Sequence, residues 1–70
     1  MMILFFHGFN SSAQTNKFVE LQGDKVCETV DYAKMSFAEV DTRYDQLIEQ
    51  HSPDVIVGHS LGGYWALRKG

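Results

Sequence analysis

A chain of 70 residues with 44% hydrophobic and 21% charged side chains has the composition of a soluble globular protein and the length of one small domain. Its net charge of −3 argues against nucleic-acid binding and against a polybasic membrane patch, and no apolar run is long enough for a transmembrane helix. The start of the chain also lacks the basic segment and apolar length of a signal peptide. A single cysteine, Cys27, permits no intrachain disulfide, and we expect a cytoplasmic protein.

The first half of the chain predicts three elements. A continuous apolar run opens the sequence and is typical of a strand that is buried on both faces. Ser11 or Ser12 can cap a helix that Gly23 would end, and a segment rich in β-branched residues follows. We therefore predict, in this order, a strand over 2–6, a helix over 13–22 and a strand over 25–30, with a loop over 31–35.

The second half predicts a helix, a strand and a helix. Ser36 and Glu39 form a capping box at the start of the clearest helix, and Pro53 limits its end. One arc of this helix collects the side chains expected to face the core: Phe37, Val40, Tyr44, Leu47, Ile48 and His51. A strand over 54–57 and a helix over 61–69 complete the order β-α-β-α-β-α, which indicates an α/β fold with a parallel sheet and right-handed crossovers.

The last strand and the last helix enclose a Gly-x-Ser-x-Gly sequence, Gly58-His59-Ser60-Leu61-Gly62, followed by a further glycine. Between a strand and a helix, this pattern is typical of a nucleophile elbow. The turn is so sharp that side chains two residues before and after the serine would collide, which glycine avoids. Ser60 would then lie above the carboxyl end of the sheet and attack a carbonyl. The alternative is a glycine-rich turn that only packs a helix against a sheet.

The first strand leads into His7-Gly8-Phe9-Asn10, and a His-Gly pair at this position is where α/β-hydrolases form half of the oxyanion hole. We predict that the backbone N–H groups of Phe9 and Leu61 hold the oxyanion, and two such donors typically lower the barrier by about 3–4 kcal/mol each. Four neighbouring residues are predicted to contact the substrate: His7, Gly8, Asn10 and His59.

Taken together, the two motifs resemble the α/β-hydrolase superfamily and, more narrowly, the small bacterial YqiA-like esterases, which open directly on the His-Gly strand. The resemblance covers the whole chain. It implies a partial α/β-hydrolase fold, in which residues 1–70 are the N-terminal part of a single domain and the first of three parallel strands lies in the middle. Members of this family run well over twice this length, and their catalytic acid and histidine follow the serine on later strands.

None of the three histidines suits the general base that Ser60 needs. His59 is adjacent in sequence, and neighbouring side chains at such a turn point apart. We expect His7 to shape the oxyanion loop by hydrogen bonding and His51 to have a structural role at a helix end.

Three other polar residues also have structural interpretations. We expect Asp54 to cap a strand and Cys27, inside the second strand, to be a small buried hydrophobic residue. Asp31, at the end of that strand on the rim of the site, is expected to be a solvated loop residue. No metal-ligand or phosphate-loop motif occurs in the sequence, which predicts neither a metal nor a cofactor.

The sequence thus predicts a serine esterase-type acyl hydrolase that cleaves small acyl esters through an acyl-enzyme on Ser60. The 70 residues alone are expected to be inactive, as the N-terminal portion of a longer hydrolase. Two alternatives stay open: half of a hydrolase that another chain completes, and a non-catalytic α/β module that binds carboxylates or a partner. The open edge of the strand over 54–57 predicts self-association or docking of a companion chain.

Overall fold

The computed structural model describes residues 1–9 and 16–70, which form an α/β arrangement of three strands and three helices. The central strand is the first one, and the sheet order is β2-β1-β3 with both pairs parallel. The predicted α/β class, element order and middle position of the first strand are confirmed. The elements are β1 (Met2–Phe6), α1 (Asn16–Glu20), β2 (Asp24–Val26), α2 (Phe37–His51), β3 (Val55–Gly58) and α3 (Leu61–Lys69).

The side chains of β1 point alternately at two helical layers, as successive residues of a strand must. The Phe5 ring lies 5.8 Å from that of Phe18 in α1. On the other face, Leu4 and Phe6 belong to the core beneath α2 and α3, where Phe6 stacks on Tyr44 with ring centroids 3.8 Å apart. Both faces of β1 are therefore covered, as its apolar run predicts.

The helix predicted over 13–22 ends earlier than expected. Residues 13–15 lie outside the described residues, and α1 stops at Glu20. The physical reason is Lys25, whose ammonium group donates hydrogen bonds to the carbonyl oxygens of Phe18, Val19 and Leu21 at 2.7–2.9 Å. The side chain of Lys25 thus binds the last carbonyls of the helix, and the Phe18 carbonyl also accepts from the Leu21 N–H at 3.1 Å in a final tight turn. Gly23, at φ 101°, then turns the chain into β2.

The prediction of a second strand over 25–30 is wrong at the carboxyl end, because β2 stops at Val26. Beyond this point the chain leaves the sheet. The backbone N–H of Val30 donates to the Nε2 atom of the His7 ring at 2.7 Å and not to a neighbouring strand. Val30, at the end of the predicted strand, is thus bound by a side chain that lies 23 residues earlier.

Three residues that follow β2, Glu28, Cys27 and Asp31, lie outside the sheet. Glu28 pairs with Arg43 at 3.0 Å and with His51 at 2.7 Å, which gives His51 the structural role predicted for it. Cys27 lies outside the strand and is half-buried, and burial raises the pKa of its thiol to about 11. Asp31 is exposed, as expected of a solvated loop residue, and lies 3.9 Å from Lys34. It follows the end of β2 by five residues and not directly, as the predicted strand bounds implied.

The helix α2 begins as predicted. Ser36 Oγ accepts a hydrogen bond from the Glu39 N–H, and the Glu39 carboxylate accepts one from the Ser36 N–H, so the capping box is present. The side chains of Val40, Tyr44 and Leu47 are buried as expected, whereas Phe37 is 55% exposed at the first turn. Ser52, at φ 46°, ends the helix directly before the proline.

The strand β3 is shifted by one residue from the predicted 54–57. Asp54 precedes it and caps it, accepting from the Met2 N–H at 2.7 Å and donating its own N–H to the Met2 carbonyl at 2.9 Å. Gly58 extends the ladder by pairing with Phe6. Among the described strands, β3 pairs with β1 alone, so its other edge is open. No helix within residues 1–9 and 16–70 is long and apolar enough to cross a membrane.

A group of ion pairs joins α2 to α3. The Asp41 carboxylate accepts from Lys69 Nζ at 2.7 Å and from Arg68 Nε at 3.1 Å, and Lys69 also reaches Asp45 at 2.7 Å. Hydrogen bonds from Lys69 and then from Arg68 lower the pKa of Asp41 below its ordinary value. Because its pKa is lower in the folded than in the unfolded chain, Asp41 stabilises the fold above its unfolded pKa and loses this effect as the pH falls through its folded value.

We expect Asp41→Asn to reduce the acid sensitivity of the fold. In urea unfolding at pH 7 and at pH 2.5, the wild-type midpoint should fall more between the two conditions than the Asp41→Asn midpoint. Asp31→Asn is the matched control, since its pair with Lys34 is longer and exposed. Equal acid sensitivity in Asp41→Asn and the wild type would contradict the assignment.

Candidate active site

The turn between β3 and α3 holds Ser60 in a strained conformation. Its φ is 59° and its ψ is −125°, a region that residues with side chains rarely adopt. Hydrogen bonds from Gly62 N–H to the His59 carbonyl at 3.0 Å and from Gly63 N–H to the Ser60 carbonyl at 2.9 Å close the turn. Ser60 is exposed at its top. The predicted strand, sharp turn and helix therefore surround this serine.

Two glycines of the turn lie where a side chain does not fit. A Cβ atom on Gly58 would be 2.2 Å from the carbonyl oxygen of Gly62, and one on Gly62 would be 1.9 Å from the carbonyl oxygen of Phe6. The collision that the sequence predicts is present at both positions, but Gly62 meets the end of β1 and not the opposite side of its own turn. Gly62 thus lets α3 start directly against the central strand.

The His-Gly turn after β1 brings Gly8 beside the serine. A Cβ atom on Gly8 would lie 3.0 Å from the Cβ and 3.5 Å from the Oγ of Ser60. The absence of a side chain at Gly8 therefore leaves space in front of the hydroxyl. Of the other predicted substrate contacts, His59 is exposed next to the serine, and Asn10 lies outside the described residues.

His7 is fully buried and uses both ring nitrogens to hold this turn. Its Nε2 accepts from the Val30 N–H, so the proton of the neutral ring is on Nδ1, which donates to the Gly8 carbonyl at 2.9 Å. That carbonyl and the N–H of Phe9 belong to one planar trans peptide, so fixing the first fixes the direction of the second. With both nitrogens engaged, His7 has a positioning role and not that of a base.

Two tyrosines outside both motifs support the same turn. The Tyr32 hydroxyl donates to the His7 carbonyl at 2.7 Å, and the Tyr44 hydroxyl is hydrogen-bonded to that of Tyr32. Burial, above all other causes, raises the pKa of both phenols, so both stay protonated at neutral pH. Tyr44 was predicted only as a core residue of α2, and Tyr32 lies in a loop with no sequence signal.

The two predicted oxyanion donors come from different elements. Leu61 is the first residue of α3, and the first N–H groups of a helix have no acceptor within it. The backbone hydrogen bonds formed between described residues include none that Phe9 or Leu61 donates. Their assignment as oxyanion donors stays a prediction.

No histidine is placed to activate the serine. His7 is engaged on both sides, and His51 pairs with Glu28 at the far end of α2. Within residues 1–9 and 16–70, no hydrogen bond joins the Ser60 hydroxyl to His59 or to any other histidine. That none of these three side chains serves as the general base stays a prediction.

An apolar cavity of about 230 Å³ opens next to the proposed donors. Its wall includes Phe9 and Leu61 and four further aromatic residues, Tyr32, Phe37, Tyr64 and Trp65. A larger depression of about 400 Å³ lies on the outer face of α2 near Thr42 and Gln46, but none of its lining residues belongs to the two motifs. The smaller cavity is therefore the one relevant to the serine.

The fold and the site define an α/β protein with a serine at a strained strand-to-helix turn beside a His-Gly turn. The chain belongs to the family described as "Uncharacterised protein family (UPF0227)", whose model matches residues 2–70. This family is known as YqiA-like and esterase-related, which agrees with the hydrolase relationship that the motifs predict. Neither the curated proteins nor the solved structures contain a match to the chain.

Proposed function

We propose that this chain carries the nucleophile and the oxyanion-binding half of an esterase-type serine hydrolase. The observation that supports this most is the positive φ of Ser60, combined with the bare Cα of Gly8 in front of its hydroxyl. Strained backbone of this kind persists only where its surroundings enforce it, and it concentrates at functional sites. Membership of an esterase-related family supports the same class of reaction.

In this mechanism the Ser60 oxygen attacks the carbonyl carbon of an ester while its proton passes to a general base. The Phe9 and Leu61 N–H groups stabilise the oxyanion of the tetrahedral intermediate, and loss of one such donor typically costs about 2.7–4 kcal/mol. The carbonyl then re-forms, the alkoxide leaves with the proton from the base, and an acyl-serine remains. Water attacks this ester in the second half of the reaction, which releases the acid and restores the serine.

The remaining parts of the machinery follow from the hydrogen bonds around the site. The His7 ring holds the Gly8–Phe9 peptide, Tyr32 holds the preceding His7–Gly8 peptide, and neither side chain transfers a proton in this mechanism. A base and its supporting acid are required from outside these 70 residues, either from a further segment of the polypeptide or from a companion chain. We propose the open edge of β3 as the place where such a segment or chain would pair.

The expected result for the isolated chain is slow but site-specific phosphonylation of Ser60, in which the serine oxygen bonds to phosphorus and fluoride leaves. A fluorophosphonate probe should add to Ser60, as judged by intact mass and peptide mapping, and Ser60→Ala should take no label. Exogenous imidazole should speed the labelling, because it supplies the missing base. Ser52→Ala is the matched control: Ser52 is also exposed and also at positive φ, but it ends a helix far from the His-Gly turn.

Two outcomes would contradict this proposal. Labelling that persists unchanged in Ser60→Ala would place the reactive group elsewhere. Ester turnover as fast as that of complete esterases, lost in Ser60→Ala, would show that a base is present within the chain after all.

The second candidate function is a non-catalytic module that binds carboxylates at the same backbone donors. The lack of a histidine at Ser60 favours it over a self-sufficient enzyme. This alternative predicts reversible binding of a simple carboxylate such as butyrate, measured by calorimetry, with no covalent label on Ser60 even when imidazole is added.

A further inference from the structure

We infer that the aromatic cavity beside Ser60 is the acyl pocket and that it takes an acyl group ending in an aryl ring, of the size of phenylacetyl or 3-phenylpropionyl. This inference rests on the proposed function, because it assigns the substrate class of the same serine. It depends on three properties of the cavity: its position, the kind of side chain that lines it, and its size.

The position links the cavity to the reacting carbonyl. Phe9 and Leu61 belong to its wall, and their N–H groups are the proposed oxyanion donors. A carbonyl whose oxygen lies at these donors therefore has its acyl substituent within reach of the cavity. Phe9 and Leu61 are also the chain neighbours of Gly8 and Ser60, and a Cβ atom on Gly8 would lie 3.5 Å from the Oγ of Ser60.

The lining favours a ring over an alkyl chain. Trp65 lies 4.8 Å from Phe37 and 5.3 Å from Tyr64 between ring centroids, in tilted and edge-on arrangements. A further aryl ring can continue this arrangement. Each aromatic pair can raise the affinity by as much as about ten-fold beyond the effect of burying apolar area. The Tyr32 hydroxyl donates its proton to the His7 carbonyl and cannot also donate it to a ligand, so a ring without a hydroxyl group suits this part of the wall.

The size sets the length of the group. A cavity of about 150 Å³ lined by apolar side chains is enough to hold a benzene molecule. The volume here, about 230 Å³, leaves room for a ring and one or two methylene groups. An acetyl group would leave most of this space unfilled. Phe37 and Tyr64 are 55% and 47% exposed, so the cavity is open to solvent on that side and a ligand can enter.

Trp65 offers a direct test of binding that does not depend on catalysis, because it is the only tryptophan in the sequence and lies in the cavity wall. Its fluorescence is followed in the Ser60→Ala protein during titration with methyl 3-phenylpropionate, methyl hexanoate and methyl acetate. We expect the aryl ester to bind about ten-fold more tightly than the hexanoate, as one or two aromatic pairs would give, and the acetate most weakly.

Variants of the wall locate the binding. Phe37→Ala and Tyr64→Ala should each weaken binding of the aryl ester by about five- to ten-fold. Both side chains are partly exposed, which limits the effect of their removal on folding. Leu67→Ala is the control, since this residue lies on α3 but is 87% exposed and outside the cavity. Circular dichroism of all three variants verifies that the fold is retained.

The outcomes separate the pocket from the chemistry. Equal affinity for the aryl and hexanoyl esters, or unchanged binding in both wall variants, would overturn the pocket assignment, while probe labelling of Ser60 would still support the hydrolase. Tight aryl-ester binding in a protein whose Ser60 takes no label with imidazole would overturn the acyl role and the hydrolase together.

Discussion

Replacing Gly62 with alanine is expected to unfold most of the chain. The new Cβ atom would lie 1.9 Å from the carbonyl oxygen of Phe6 and 2.6 Å from that of His7, both backbone atoms of the central strand region. Backbone atoms cannot move aside as a flexible side chain can. We therefore expect the free energy of unfolding to fall by more than the usual cost of overpacking, which is about 1–3 kcal/mol. A core of this size rarely supplies more than about 3–5 kcal/mol, so the variant has little stability left.

The neighbouring glycine provides the control for this experiment. A Cβ atom on Gly63 would be 3.7 Å from the nearest atom outside its own helix, an ordinary contact distance. Because Gly63 lies inside α3, its replacement by alanine should leave stability unchanged or raise it by about 0.5–1 kcal/mol. Urea unfolding followed by circular dichroism distinguishes the two variants, and equal midpoints for them would refute the account of the turn.

Replacing Tyr44 with alanine is expected to lower the free energy of unfolding by about 3–5 kcal/mol, the range for removing a buried aromatic ring. Tyr44 is 1% exposed, stacks on Phe6 and packs 5.7 Å from the Trp65 ring. Its loss opens a cavity between the central strand and both helices of that layer, and it also removes the hydroxyl that supports Tyr32. Thermal unfolding should show little or no cooperative transition.

Tyr44→Phe separates the ring from the hydroxyl. The ring contacts remain, and Tyr32 keeps its bond to the His7 carbonyl, so we expect a loss of only about 1 kcal/mol, as for one hydrogen bond. If Tyr44→Phe proves as damaging as Tyr44→Ala, the hydroxyl pair and not the packing of the ring would be the main contribution of this residue.

The sequence is most informative where an element is defined by its own residues. The apolar run of β1, the capping box of Ser36 and Glu39, and the glycines around Ser60 are local patterns, and each predicts its element to within a residue or so. The ends of α1 and β2 are set by contacts with distant residues. Lys25 donates hydrogen bonds to the carbonyls at the end of α1. The ring of His7 accepts from the Val30 N–H, which the predicted longer strand would have placed in the sheet.

The candidate site follows the same division. Ser60, Gly8, Phe9 and Leu61 are recognisable from motifs. In the structure Gly8 lies beside Ser60, and Phe9 and Leu61 line one cavity, while their role as oxyanion donors stays a prediction. The partners of His7 are not recognisable, because the hydrogen bonds to Val30 and Tyr32 join residues 23 and 25 positions apart. The aromatic cavity also needs the fold, since its rings come from four separate segments that share no sequence pattern.

The dependence of the serine turn on β1 has a consequence for the order in which the protein folds. The bond between Met2 and Asp54 joins residues 52 positions apart, and Gly62 fits only against a strand that is already in place. Closing so long a loop is entropically costly and slow compared with forming α2. We therefore expect the reactive geometry to arise late in folding. A folding intermediate with α2 formed and the sheet still open would carry Ser60 in a relaxed turn.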